Sequence, residues 1–306
     1  MEKVIEPMTS GSIGKRMMFF ALPLLLGNLF QQLYNTVDSL IVGNFLGSSA
    51  LAAVSSSGSL IFMLIGFLSG ISAGAGVVIS QYFRAEDVPN IQRAVHTTVA
   101  FGIAAGLLMT IVGILLSPQI LAWMGTPESV MPESISYLQI YFSGSLGFVL
   151  YNVFVGILQA VGDSRHPLYY LMASSVINLV LDILFIGFFN TGVGGAALAT
   201  VISQVFSAIL CFVQLLRTRE SYQLRLSSIR FDLPMLGRII RIGLPSGVQN
   251  SIIAFANVVV QSYINAFGEM AMAGYGAYTK IEGFAFLPIN SFTMAMTTFV
   301  GQNLGA

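Results

Sequence analysis

Four polar residues in three apolar stretches carry the side-chain oxygens that a small, hard cation prefers. They are Asp38, Asn178, Asp182 and Thr200. Asp182 is the clearest case, because it lies in apolar sequence long enough to cross a bilayer, where a charged side chain costs about 3 kcal/mol on insertion scales. An acid at that depth usually faces a partner, an ion or water. Carboxylate, amide and hydroxyl oxygens suit Na⁺, and protonation of the same carboxylates lets H⁺ compete.

The spacing of these residues predicts that they meet. Asn178 lies one helical turn before Asp182, on the same face of a helix. With a rise of about 1.5 Å per residue, the spans predicted below place Asp38, Asp182 and Thr200 roughly 9 to 10 Å below the same membrane surface. We therefore predict a cation site shared by three helices.

The composition of the chain indicates an all-α polytopic membrane protein. Its 306 residues are 55% hydrophobic and only 8% charged, with a mean hydropathy of +0.82, which excludes an ordinary soluble domain. The apolar runs are apolar on every face, unlike the alternating strands of a membrane β-barrel. The single cysteine, Cys211, excludes a disulfide framework and a cysteine metal cluster.

Eight apolar runs are long enough to cross about 30 Å of hydrocarbon. We place them at residues 17–44, 50–83, 93–116, 134–160, 167–189, 193–216, 239–266 and 271–303. All Lys and Arg residues except Lys280 fall on one side of this alternation. By the positive-inside rule, the N-terminus is cytoplasmic.

The longest connection, residues 217–238, is basic and ends in "FDLPMLGR". Its last part, continued by "IIRIGLP", predicts a short amphipathic helix on the inner membrane surface, and a plain solvated loop is the alternative. We interpret this connection as a cytoplasmic linker between two halves.

An internal repeat supports a division into two lobes. "LPLLLGN" at 22–28 matches "LPSGVQN" at 244–250, and Gln81 near the end of span 2 matches Gln302 near the end of span 8. Residues 1–216 then form a six-helix lobe, and residues 239–306 form the first two helices of a second lobe. Because six spans precede the restart and two follow it, we expect the sequence to be a fragment whose last four spans are absent.

The joint order of several short motifs resembles the multidrug and toxic compound extrusion (MATE) transporters over nearly the whole chain. The motifs are the first-span "P-x4-N-x9-D" (Pro23, Asn28, Asp38), the fifth-span "N-x3-D", the sixth-span "GGAALAT" that ends at Thr200, and the "GQNLGA" of span 8. Each motif alone is weak, whereas their order and spacing together are fairly specific.

The resemblance implies twelve helices in two pseudo-symmetric lobes around a cleft that opens alternately to either side. It also implies a Na⁺ or H⁺ site at Asp38, Asn178, Asp182 and Thr200, and a helix-1 bend at Pro23. Some relatives carry an acid in helix 7, and the corresponding helix here, "GVQNSIIAFANVVVQSYI", has none.

Two further charges and a glycine series lie within predicted spans. Lys280 and Glu282 are near mid-depth in span 8, and they either line a drug cleft, serve a second-lobe proton relay or have a structural role.

Gly66, Gly70 and Gly74 recur at every fourth position of span 2, which predicts close helix packing rather than a phosphate loop.

These observations predict a cation-coupled antiporter, not an enzyme, that exports amphipathic or cationic compounds. We expect a monomer in the bacterial plasma membrane, in contact with lipid and with small-molecule substrates but not with nucleic acid, and with no cofactor beyond a coupling Na⁺ or H⁺. The alternative within the same superfamily is a flippase for lipids or lipid-linked oligosaccharides. A membrane enzyme would need a metal cluster or an activated nucleophile, and a passive channel would need a re-entrant filter.

Overall fold

The chain folds into a bundle of long helices. The structure is a computed structural model, and it describes residues 12–123, 128, 131–265 and 269–304. Some side chains of the second, eighth and ninth helices, including that of Lys280, lie outside this description. The helices are α1 (Ile13–Leu46), α2 (Ser48–Arg84), α3 (Val88–Trp123), α4 (Met131–Ser143), α5 (Ser145–Ala160), α6 (Arg165–Asp182), α7 (Val193–Arg217), α8 (Leu233–Asn265) and α9 (Glu269–Leu304). Two short segments complete the order: a π-helix at Ile183–Phe188 and a 3₁₀ turn at Leu226–Ser228.

The eight predicted spans correspond to these helices, with α4 and α5 forming one bent span. Among the described residues, α1, α3, α6 with its π-helix, α7 and Glu282–Leu304 of α9 are long and apolar enough to cross a membrane, and the α4–α5 pair qualifies if its two helices, bent by 49°, count together. The other two, α2 and α8, span 37 and 33 residues, which is also long enough to cross a membrane.

Glycine makes the sharp reversals between spans possible. Gly47 joins α1 to α2 with φ 87°, and Gly192 precedes α7 with φ 67°. A side chain is strained at such positive φ values, whereas glycine adopts them readily. These tight turns hold consecutive helices antiparallel. One end of the bundle then carries Arg84, Arg93, Arg165 and Arg217, and we call it the basic end.

Two apolar clusters hold the first six spans together. The larger one joins α2, α3, α5 and α7 and includes Ile79, Ile91, Ile157 and Leu215, all 0 or 1% exposed. The smaller one joins the helix ends opposite the basic end and includes Val42, Phe142 and Ile186. A polar site between these clusters is therefore surrounded by apolar side chains.

The predicted close packing of the span-2 glycines is confirmed, and their partner is α8. A Cβ added to Gly70 would collide with the backbone of Gly247, and one added to Gly74 would collide with Gly243. Asn250 donates a hydrogen bond of 3.2 Å from its side chain to the Gly66 carbonyl. Glycines spaced four apart on both helices thus let the two backbones approach directly, as in other membrane helix pairs. This contact joins the two halves in the part of the bundle nearer the basic end.

The connection between the halves is fastened to the start of α3. Gln92 donates from its side chain to the carbonyls of Ser221 and Gln223, and Arg93 forms an ion pair of 2.7 Å with Asp232. The helical part of the connection begins at Leu233 and continues into α8 without a break. The described residues therefore contain no separate amphipathic helix here. The reason is local: Asp232 caps α8 by accepting the Met235 N–H at 3.0 Å, and Pro234 lies in the first turn, where a proline does not break a helix.

Candidate functional site

The acidic side chains that the sequence singled out meet in the structure. Asp38 on α1 and Asp182 at the end of α6 lie within hydrogen-bonding reach of each other. Asp182 is 0% exposed, and Asp38 is half-buried. We call these two residues the acid pair. Since α1 packs along α6, the pair joins the first span of the lobe to its fifth.

The acid pair lacks donors among the described residues. Eight buried side-chain nitrogen and oxygen atoms there have no hydrogen-bond partner, and three of them are Asp38 Oδ1, Asp182 Oδ1 and Asp182 Oδ2. A buried acceptor without a donor costs about 1 to 3 kcal/mol, and more when it is charged. Two adjacent carboxylates also repel each other in a medium of low dielectric constant. A proton shared by the pair, or a cation bound between its oxygens, removes both penalties.

Apolar side chains cover the acid pair on the side away from the basic end. Val42 lies one turn beyond Asp38 and Ile186 lies one turn beyond Asp182, and both are 0% exposed. They belong to the same apolar cluster. This cover keeps the surroundings of the pair at low dielectric constant, which strengthens any attraction between the pair and a cation.

Asn178 is buried beside Asp182, as its spacing predicts. It is 2% exposed, and its Nδ2 has no partner among the described residues. Asp182 is the last α-helical residue before the π-helical segment Ile183–Phe188. The π-helical turn widens the backbone at this point, and such turns occur often at functional sites.

Thr200 stands on α7, half-buried, and its hydroxyl donates a hydrogen bond of 3.1 Å to the Ala196 carbonyl of its own helix. This bond uses the hydroxyl hydrogen and leaves the oxygen free to accept. Thr200 can therefore offer a ligand oxygen while its own donor is satisfied. The oxygen-rich donor set of the acid pair, Asn178 and Thr200 fits Na⁺. The described residues contain no group of three His, Cys, Asp or Glu that could hold a metal ion.

Sequence reasoning missed three polar neighbours of the acid pair. The hydroxyls of Tyr34 on α1 and Tyr137 on α4 lie within electrostatic range of both carboxyls. The side chain of Gln204 on α7 faces the Tyr34 hydroxyl. Helical spacing offered a signal for two of them, because Tyr34 lies one turn before Asp38 and Gln204 lies one turn after Thr200. No comparable signal ties Tyr137 to the site.

Two further sequence candidates, Pro23 and Glu282, lie on α1 and α9. Pro23 is inside α1, which continues through it as one helix. Glu282 accepts a hydrogen bond of 2.9 Å from the Tyr278 hydroxyl, one turn earlier on α9. Its neighbour Gly283 faces Gln32 of α1. The side chain of Lys280 is outside the described part of the chain, so the prediction for it stays a prediction.

Known proteins resemble this chain in sequence and in fold. The sequence matches the MatE family model over residues 23–184 and 245–306. It is 32% identical to the "Probable multidrug resistance protein YoeA" of Bacillus subtilis, over 99% of this chain and 67% of the relative. It is 29% identical to the "Probable multidrug resistance protein YpnP" of the same organism, over 97% of this chain and 66% of the relative.

A solved structure described as the outward-facing conformation of a multidrug resistance MATE family transporter superimposes with a TM-score of 0.89. It is 26% identical and covers 96% of this chain and 66% of its own. This chain thus spans about two thirds of the length of these relatives. The family match covers well over half of the sequence and includes Pro23, Asp38, Asn178 and Asp182. The chain therefore belongs to the MATE family, which its sequence motifs resemble.

Proposed function

We propose that this chain carries the coupling-ion site of a Na⁺- or H⁺-driven antiporter that exports amphipathic or cationic small molecules. The observation that supports the site is the contact between Asp38 and Asp182, because three of their four carboxyl oxygens are buried and have no donor among the described residues. A cation or proton that enters the site neutralises the pair, and its departure restores the repulsion. The ion gradient thereby supplies free energy to the conformational change.

Helix α1 connects this site to the second half of the chain. The side chain of Asn28 donates a hydrogen bond of 3.0 Å to the Ser291 hydroxyl of α9. Phe20, Ala21 and Leu24 pack with Ala295 in one apolar cluster. An α1 that shifts when the acid pair is neutralised therefore moves against α9. Pro23, in the N-terminal third of α1, removes one helix hydrogen bond, which makes bending of this helix easier.

The contacts at the basic end support one conformational assignment. There α2 and α8 touch through their glycines, and Gln302 donates to the Ala160 carbonyl at 3.2 Å. Arg238 of α8 donates to the Tyr82 hydroxyl of α2 at 2.6 Å. If this end is cytoplasmic, as the positive-inside rule indicates, the halves are closed toward the cytoplasm. Cargo leaves in that state toward the outside.

The relatives favour drug-like cargo over lipid-linked sugars, because both Bacillus subtilis proteins are described as multidrug resistance proteins. Their source also favours the bacterial plasma membrane. We propose a monomer, since the acid pair and its neighbours all come from one chain.

Efflux of a fluorescent dye from a transporter-deficient bacterium tests the proposal. The protein is expressed from its complete native reading frame, and sodium and pH gradients are imposed separately. We expect efflux with one gradient, and its loss in Asp38→Asn with the protein still inserted. Glu133→Gln, which changes an exposed acid in the first turn of α4, is the matched control. Normal gradient-driven efflux in Asp38→Asn would refute the assignment.

A further inference from the structure

The buried glutamine Gln204 lies beside the coupling site and has a side chain that its surroundings do not satisfy. It is 7% exposed, and its Oε1 has no hydrogen-bond partner among the described residues. A glutamine that serves only to join two helices is expected to have both ends of its amide paired. The unpaired oxygen therefore requires an explanation.

The register of α7 puts Gln204 one helical turn away from the layer of the acid pair. Gln204 lies one helical turn from Thr200 on α7, toward the basic end. Tyr34 and Asn178 each lie one turn from the acid pair in the same direction, on α1 and α6 respectively. Because these helices run side by side, Tyr34, Asn178 and Gln204 form a second polar layer next to the layer of Asp38, Asp182 and Thr200. The Tyr34 hydroxyl interacts both with the Gln204 amide and with the acid pair.

We propose that Gln204 is a further member of the coupling-ion site. Its Oε1 coordinates Na⁺, and its amide NH₂ donates a hydrogen bond to the Tyr34 hydroxyl. This inference rests on the proposed function and assigns it a ligand that none of the sequence motifs contains. Neutral carbonyl oxygens are common ligands of hard cations. One amide thereby links α7, which contributes Thr200, to α1, which contributes Asp38.

A structural role and a role in cation binding differ in how the melting temperature responds to sodium. If Gln204 only joins helices, the leucine variant melts at a lower temperature, and added sodium stabilises it as much as it stabilises the unaltered protein. If the Gln204 oxygen also binds the cation, stabilisation by added sodium falls in the leucine variant.

The experiment measures binding of radioactive sodium and thermal unfolding on the complete protein in lipid nanodiscs, at alkaline pH to limit competition by protons. Gln204→Leu should weaken sodium binding at least tenfold and should reduce the rise in melting temperature that sodium causes. Gln204→Glu keeps an oxygen at the position and should restore sodium binding. Gln214→Leu, the same change on the same helix at a residue that faces Tyr170, should bind sodium like the unaltered protein.

The possible results separate this inference from the proposed function. Unchanged sodium affinity in Gln204→Leu, or a lowered sodium-free melting temperature with sodium binding retained, would overturn the role of Gln204. An unaltered protein that binds no sodium, yet drives efflux with a proton gradient, would also overturn it and would leave the antiporter proposal intact. Gradient-driven efflux that survives Asp38→Asn would overturn the antiporter site itself.

Discussion

The carboxyl group of Asp38 on α1 lies within hydrogen-bonding reach of that of Asp182 on α6, and buried oxygens of both residues lack donors in the described part of the chain. Membrane helices seldom place two acids together without a compensating proton or cation, because each charge is costly there. Helix α1 therefore takes part in two contacts: it carries Asp38 of the acid pair, and its Asn28 side chain bonds to Ser291 of α9 in the second half.

A side chain at Gly243 should disrupt the contact between α2 and α8. A Cβ there would lie 2.7 Å from the Ile71 Cα and 2.9 Å from the Ile71 carbonyl oxygen. Backbone cannot move aside cheaply, so we expect Gly243→Ala to lower the free energy of unfolding by about 1 to 3 kcal/mol. Thermal unfolding in detergent measures the effect.

The control for this change is Gly237→Ala, on the same helix, where an added Cβ meets nothing within 4 Å. Alanine forms helices better than glycine by about 1 kcal/mol, so this variant should be as stable as the unaltered protein or more stable. Equal melting temperatures for Gly243→Ala and Gly237→Ala would contradict the direct backbone contact.

Replacing Pro23 with alanine should stiffen α1. Alanine restores an N–H that can bond to the Phe19 carbonyl, and proline inside a helix costs about 3 kcal/mol. We expect Pro23→Ala to keep cation binding and to slow gradient-driven efflux several-fold, because a straight α1 is then favoured. Pro118→Ala in α3 removes a proline from another helix and should leave efflux unchanged. Full efflux in Pro23→Ala would show that bending at this residue is not needed.

The ion pair that fastens the connection to α3 should depend on pH. The pKa of Asp232 is lowered because Arg93 donates a hydrogen bond to its carboxylate, with a further bond from the Met235 N–H. A lowered pKa in the folded state means that the stabilisation is present above the ordinary range of an aspartate. It is lost as the pH falls through the lowered value.

Arg93→Gln removes the pair but leaves Asp232 to cap α8. We therefore expect the unaltered protein to melt at a higher temperature than Arg93→Gln at neutral pH. The difference should shrink as the pH falls through the aspartate range. Arg219→Gln, in the same connection, should show no such trend. A constant difference at every pH would indicate that packing, rather than the charge of Asp232, accounts for the effect.

The sequence predicted the helices and the acid pair better than it predicted the surroundings of the pair. Apolar length defines a span, and an acid within a span is conspicuous, so Asp38, Asp182 and Asn178 could be identified directly. Tyr34 and Gln204 were missed because their pairing depends on how α1 and α7 lie next to each other. The π-helical segment after Asp182 was also missed, since hydropathy does not distinguish it from α-helix.

The sequence also predicted only part of the structure of the connection between the halves. The segment after Asp232 is amphipathic, which favours a separate surface helix, yet it forms the first turns of α8. Hydropathy alone does not show whether a helical segment ends before the next one begins. Neither Gly237 nor Gly243 interrupts the helix, because packing against α2 stabilises it at Gly243.

The most direct test of a shared cation site compares the two acids in purified protein. Gradient-driven dye efflux is measured in proteoliposomes for Asp38→Asn, for Asp182→Asn and for the double variant, with Glu133→Gln as control. If the carboxyls share one cation, each single variant loses efflux while remaining folded, and the double variant is no worse than either. If either single variant retains the efflux of the unaltered protein, the two acids do not act as one site.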